Sequence, residues 1–134
     1  MTSDNCRINL QEELELSRSA WEEGEALLSL GHARGSLTRY YYSTFHAARA
    51  ALLSRGIEPR THQGVVAEFN RHFVQTGLID RVTARSLSHL QKDREEADYS
   101  RSIPFSEEDA KQAQSSSRAF IVAIRDVLSR EGMT

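Results

Sequence analysis

Apolar positions along the chain recur at helical spacing from end to end, and the pattern predicts helices and little else. A first helix is expected over about residues 8–30, with Leu10, Leu14, Trp21 and Leu28 on one face. Gly31 to Gly35 reads as a short connection. A second helix covers about 36–55 and is ended by Gly56-Ile57-Glu58-Pro59. The third runs over about 62–76, with Thr61 as N-cap, Gly77 as stop and Val65, Val66, Phe69 and Phe73 as its buried stripe. A fourth starts after Asp80. Ser106 with Asp109 forms a capping box for a fifth, in which Ala113, Phe120, Ile124 and Val127 face inward. The two prolines, Pro59 and Pro104, both fall at breaks between these runs. With no convincing strand and no internal repeat, the expected fold is an all-α, up-and-down bundle of four or five helices, one domain spanning residues 1–134.

Two helices depart from a simple apolar stripe. In the second, Leu37, Tyr40, Tyr41, Thr44, Phe45, Ala48, Ala51 and Leu52 make a wide core face, yet Tyr42, His46, Ala50 and Leu53 occupy the opposite side. A helix apolar on two sides is either central in the fold or buried by another subunit. Its alanines permit close packing, and we expect a homodimer with this helix near the interface. The alternative is that the fifth helix covers the second face. In the fourth helix, Thr83, Leu87 and Leu90 set a stripe that Arg94 and Asp98 continue. At about 100° per residue these positions fall in one narrow sector, so an arginine and a carboxylate stand where leucine belongs. Buried charges need partners, and the i,i+4 spacing lets the two pair with each other.

Composition narrows the classes. Hydrophobic residues at 39% and charged residues at 27% read as a soluble globular chain. No apolar run approaches the roughly 20 residues of a membrane span, and the first residues lack signal-peptide character. A lone cysteine, Cys6, leaves no internal disulfide and fits a reducing, cytoplasmic setting. A formal charge of −2 argues against broad nonspecific nucleic-acid binding but allows a local basic cleft.

Candidate chemistry is sparse. No cofactor or metal is expected: there is no tetrad of Glu-x-x-His pairs, and His89 has no zinc ligand at suitable spacing. Gly31 and Gly35 lack the strand and lysine of a phosphate loop. Arg85, His89 and Lys92 read as a solvated outer face. His62, in the first turn of the third helix, is either a capping or semi-buried histidine bonded to a neighbouring helix, or part of an anion-binding cleft with Arg60. Arg39 with His46 and Arg55 with His62 each fit an Arg-x6-His spacing, as chance allows among five histidines, although Arg39 and His46 share a helix face.

The segment Tyr40-Tyr41-Tyr42-Ser43-Thr44-Phe45-His46-Ala47-Ala48-Arg49-Ala50-Ala51-Leu52-Leu53 resembles the central helix of the HEPN domain. Thr61-His62-Gln63-Gly64-Val65, then Phe69 and Phe73-Val74, then Arg94-Glu95-Glu96-Ala97-Asp98-Tyr99, follow in the order and spacing of small prokaryotic HEPN proteins. These carry a His-Gln-Gly-Val segment and an Arg-x-x-Ala-Asp-Tyr motif, and the resemblance runs from about Leu14 to Leu128. It implies a helical bundle that usually dimerises and a minimal nucleotidyltransferase as partner in a toxin–antitoxin arrangement. Many HEPN proteins are metal-independent ribonucleases with an Arg-x4–6-His motif, the site being shared across the dimer.

This chain departs from that motif. Arg94 matches the arginine, but Asp98, Tyr99, Ser100 and Arg101 follow it where a histidine is required. Cleavage without a metal needs groups to deprotonate the 2′-hydroxyl and protonate the leaving oxygen, for which histidine is suited. Tyrosine is a poor base at neutral pH, and an aspartate beside an arginine stays ionised. The catalytic candidates are therefore Arg94, Asp98 and Tyr99, and the nucleotide or phosphate ligands Arg94, His62 and Arg60. In some HEPN toxins a tyrosine just past the motif is adenylylated by the partner, and Tyr99 lies at a similar place. Its other reading is a plug whose ring packs while its hydroxyl caps a polar group. Two functions are expected: a nucleotide- or RNA-binding member of a nucleotidyltransferase–HEPN pair with a degenerate ribonuclease motif, or a non-catalytic helical interaction module. A ribonuclease toxin with a divergent site is the further alternative.

Overall fold

A computed structural model describes residues 3–99 and 105–134; Pro104, Ser100 and Arg101 lie outside them. Five helices follow in order: α1 (Ser3–Ser29), α2 (Ala33–Leu53), α3 (His62–Phe69), α4 (Arg81–Tyr99) and α5 (Glu107–Arg130). No strand occurs among the described residues. Helix α1 starts earlier than residue 8 and α2 begins inside the expected Gly31–Gly35 connection, whereas the capping signals of α3 and α5 and the stop at Gly77 act as the sequence suggests. The Thr61 hydroxyl accepts from the Gly64 amide at 2.9 Å, and Ser106 and Asp109 close a reciprocal capping box. Gly77, at φ +79°, takes the left-handed conformation that side chains resist.

The third helix is not one continuous α-helix to residue 76. After Phe69 the chain makes a π-helical turn, Asn70–Val74, in which the Gln75 amide bonds to the Asn70 carbonyl five residues back at 2.9 Å. The apolar pattern is blind to this change, because it alters the register of the hydrogen bonds and leaves Phe69 and Phe73 facing the core. Their rings stack at 5.0 Å.

Helix α2 is the centre of the bundle, packed against α1, α5, α4 and α3. This answers the two-sided apolar character of the helix within one chain: Ala50 is fully buried and Leu53 only 2% exposed. Tyr42 and His46 on the same side remain half-buried, so the apolar positions of that face do not by themselves require a partner subunit. Small polar residues let the helices approach. Ser17 and Ser43 each donate a hydroxyl to the other's carbonyl at 2.7 Å, joining α1 to α2. Thr44 and Ser117 join α2 to α5 at 2.8 Å. Gly24 leaves room for the ring of Tyr40, whose hydroxyl donates to Glu25 at 3.1 Å.

Candidate active site where α2, α3 and α4 meet

Three consecutive tyrosines cannot share one face of a helix, and each of these enters a different environment. Tyr40 packs on Trp21 with ring centroids 5.0 Å apart. Tyr41, buried, turns toward α3, and its hydroxyl lies 2.7 Å from Nδ1 of His62. Tyr42, half-buried, lies between two guanidinium groups: Arg39 is 5.1 Å and Arg94 5.7 Å from its ring centroid. One turn along α2, the Phe45 ring stacks against His62 at 6.0 Å, with 18° between the planes.

Arg94 comes from the last turns of α4 and sits over the Tyr41 ring at 5.0 Å. Its Nε donates to Oε1 of Gln91 at 3.2 Å, and Gln91 in turn donates to Glu95 at 2.8 Å. Arg34, at the start of α2, donates to the Ala97 carbonyl and ties the end of α4 to the bundle. His62 and Arg94 thus converge on the two sides of one residue, Tyr41. That residue was not among the candidates read from the sequence, and neither were Gln91, Glu95 and Tyr42. The run Tyr40-Tyr41-Tyr42 carried the signal, since at about 100° per residue one of the three had to point toward each neighbour of α2.

Arg94 and Asp98 do pair at the expected i,i+4 spacing, but the pair is not buried. Nη1 of Arg94 and Oδ2 of Asp98 are 3.8 Å apart, and the Asp98 side chain is 49% exposed against 23% for Arg94. The arginine is sheltered by tyrosine rings rather than by its carboxylate, because the helix end lies at the rim of the bundle. Tyr99 is no plug: 85% exposed, it stands in solvent. Arg60 is exposed in the turn before α3, and no contact among the described residues ties it to His62 or Arg94.

Neither chance Arg-x6-His spacing builds a site. His46 bonds Glu13 at 2.7 Å while Arg39 reaches Glu23 at 3.5 Å, so the two engage separate partners. Glu13 also holds Arg49, at 3.1 Å. Arg55 makes a two-pronged contact with Glu131, at 2.7 and 2.8 Å, and covers the Phe73 ring at 4.8 Å. His89 and Lys92 are exposed, but Arg85, expected to be merely solvated, rims a groove between the π-helical turn and α4 that is separate from the Arg94 cluster. Among the described residues no group of three or more His, Cys, Asp or Glu side chains is placed to hold a metal ion.

The electrostatics follow from the burial. His62 is held below its ordinary pKa by burial and, with smaller weight, by the Arg94 charge, against the opposing pull of Glu95. Burial pushes the Tyr41 phenol up to about 12, the Arg94 charge acting in the opposite sense. Both groups are neutral near pH 7, and the Tyr41 hydroxyl can then donate to Nδ1 of His62, leaving the other ring nitrogen with the proton. A guanidinium on an aromatic platform, beside a neutral imidazole, offers a bidentate anion contact next to a group able to accept or carry a proton.

No helix among the described residues is long and apolar enough to cross a membrane. A UPF0332 protein of Pyrococcus horikoshii is 41% identical over 85 residues, 63% of this chain and 60% of that protein, so the match spans less than two thirds of the relative's length. A UPF0332 protein of Thermotoga maritima is 29% identical over 112 residues, 84% of this chain and 85% of the relative. A Methanocaldococcus jannaschii protein named "Putative toxin" is 29% identical over 108 residues, 81% of each chain. Residues 11–127, which contain Tyr41, His62 and Arg94, match the family described as the HEPN domain, and the all-helical bundle agrees with that match. The chain belongs to the HEPN domain family.

Proposed function

We propose that this chain is the HEPN member of a toxin–antitoxin-like pair, that its Arg94–Tyr41–His62 cluster binds the phosphate of RNA or a nucleotide, and that its partner is a minimal nucleotidyltransferase. One observation carries the reading: Arg94 is held 5.0 Å over Tyr41 while the Tyr41 hydroxyl engages His62 at 2.7 Å. The arginine supplies the phosphate contact, and the half-buried Tyr42 ring offers a surface on which a base can stack. Asp98 stands at the mouth of the cluster and holds Arg94 only loosely. Relatives named as toxins support the pairing with an antitoxin. The exposed Tyr99 offers a hydroxyl that a partner enzyme can reach, which suits silencing by adenylylation.

A homodimer belongs to the same proposal; its support is the family, since Ala50 and Leu53 of α2 are covered within the chain. Light scattering at tens of micromolar tests it, and a monomer there removes it. The binding claim is tested by titrating purified protein with short single-stranded RNA and with AMP. Saturable binding that Arg94→Ala weakens roughly tenfold or more supports it; binding indifferent to Arg94 overturns it. Incubation with a neighbouring nucleotidyltransferase and ATP, followed by mass spectrometry, tests the Tyr99 claim, which Tyr99→Phe must abolish.

One observation favours a second reading, a ribonuclease with a divergent site. His62 is neutral near pH 7, as a general base must be, and it adjoins the residue that carries Arg94. In that reading the imidazole takes the other tautomer, its Nδ1–H donating to the Tyr41 hydroxyl, so that Nε2 takes the proton of the 2′-hydroxyl; the 2′-oxygen attacks phosphorus, Arg94 stabilises the charge, and the 5′-oxygen leaves with a proton from water.

A further inference from the structure

A groove of about 510 Å³ opens between the π-helical turn and α4, lined by residues that the Arg94 cluster does not use. Phe69 and Leu87, both almost fully buried, underlie its floor, whose apolar surface comes from the half-buried Val66, Val74 and Ala84. Arg81 and Arg85 stand on the α4 side, four residues apart on one face, a rise of about 6 Å. Both are exposed, and neither has a carboxylate partner among the described residues. They are thus open to a ligand, unlike Arg18, Arg39, Arg49, Arg55 and Arg130, each of which meets an acid. The opposite wall carries Asn70, which opens the π-helical turn, and Gln75, which follows it, both with side-chain amides. Turns of this kind interrupt the regular ladder and are frequent at functional sites.

We infer that this groove is a second site that binds a nucleoside phosphate, with the base on the Val74 and Ala84 floor and the phosphates on Arg81 and Arg85. The volume falls within the range of about 300–1,000 Å³ usual for small-ligand sites. Two forked guanidinium groups one helical turn apart match neighbouring phosphates of a single ligand. Each amide opposite offers both donor and acceptor, as the edge of a base requires. An anion without a ring would leave the apolar floor unused. The same chemistry is presented by a free nucleotide and by the phosphorylated end of an RNA strand.

The test is calorimetry on the full chain with ADP, inorganic pyrophosphate and a 5′-phosphorylated RNA trinucleotide. The expected result is ADP binding that the double variant Arg81→Gln/Arg85→Gln weakens roughly tenfold or more. Ala84→Leu, which fills the floor, should weaken it comparably. Because the Arg94 cluster is itself proposed to take a nucleotide, the titrations are repeated in Arg94→Gln, where the ADP binding that remains should keep its dependence on Arg81, Arg85 and Ala84. A trinucleotide that binds more tightly than ADP with the same dependence on Arg81, Arg85 and Ala84 assigns the ligand as a strand end. Absence of ADP and trinucleotide binding, pyrophosphate binding as tight as ADP, or loss confined to Arg94→Gln overturns the inference. Should Ala84→Leu fail to fold, the exposed arginine pair still decides the question.

Discussion

The guanidinium of Arg94 lies over the ring of Tyr41 at 5.0 Å, whereas the carboxylate that sequence spacing assigns to it, on Asp98, is 3.8 Å away and half in solvent. The two contacts differ in worth. A cation on an aromatic face gains about 0.5–1 kcal/mol when exposed and about 2 when desolvated, while a surface ion pair contributes about 0–1. The ring is therefore the principal partner, and it fixes the arginine's position at the meeting point of three helices.

Arg94→Ala is accordingly expected to cost about 1–2 kcal/mol of stability, below the roughly 3–5 that breaking a buried ion pair costs. Asp98→Asn should stay within about 0.5 kcal/mol of the parent. Urea denaturation of both variants checks this, and an Asp98→Asn loss as large as that of Arg94→Ala would restore the carboxylate as the main partner.

Tyr41→Phe removes the hydroxyl that meets His62, with an expected loss of about 0.5–1.5 kcal/mol. Thermal melts measure it, and NMR titration of His62 should show a changed pKa in the same variant. An unaltered His62 titration would mean that the hydroxyl and the imidazole do not interact in solution.

The pH dependence has a definite sign. Since the folded-state pKa of His62 lies below its ordinary 6.5, the unfolded chain binds more protons in the window between the two values. Its contribution is complete above about 6.5 and is lost as the pH falls through the folded value. Tyr41 acts at the other end: its stabilisation is complete below the ordinary value of 10 and is lost as the pH rises toward about 12. Denaturation midpoints of the parent and His62→Gln, compared from neutral to mildly acidic pH, should converge as the pH falls. Parallel curves would refute the assignment.

Gly24→Ala should destabilise although alanine favours helix by about 1 kcal/mol. A Cβ at position 24 would lie 2.8 and 2.9 Å from two atoms of the Tyr40 ring and 3.3 Å from Cβ of Arg39. The ring is fully buried and its hydroxyl is held by Glu25, so it cannot swing aside. Overpacking of about 1–3 kcal/mol then outweighs the propensity gain. A raised melting temperature in this variant would contradict the packing described.

Cleavage of a mixed RNA pool by the isolated protein, with chelator present, is expected to be weak or absent. The motif histidine after Arg94 is missing, and the site offers one imidazole where acid and base are both needed. Robust cleavage that disappears in both Arg94→Ala and His62→Ala would reverse this expectation in favour of the divergent ribonuclease.

Helix positions, their caps and their buried faces were legible in the residue pattern, because these are local matters. Thr61, Gly77 and the Ser106–Asp109 box act within a turn of chain, and the Val65, Phe69, Phe73 stripe follows from rotation about one axis. Arg94 and His62 could be singled out in the same way, each as a polar side chain on an otherwise apolar face. Their convergence on Tyr41 could not, since periodicity sets the direction in which a side chain leaves its helix and says nothing of which helix it meets. Only the tertiary packing of α2 placed Tyr41 between α3 and α4, covered Ala50 and Leu53 on its second face without a partner, and left Asp98 and Tyr99 at the rim in solvent. The π-helical turn belongs with these, because a one-residue shift of hydrogen bonding leaves the hydrophobic pattern that predicts helices unchanged.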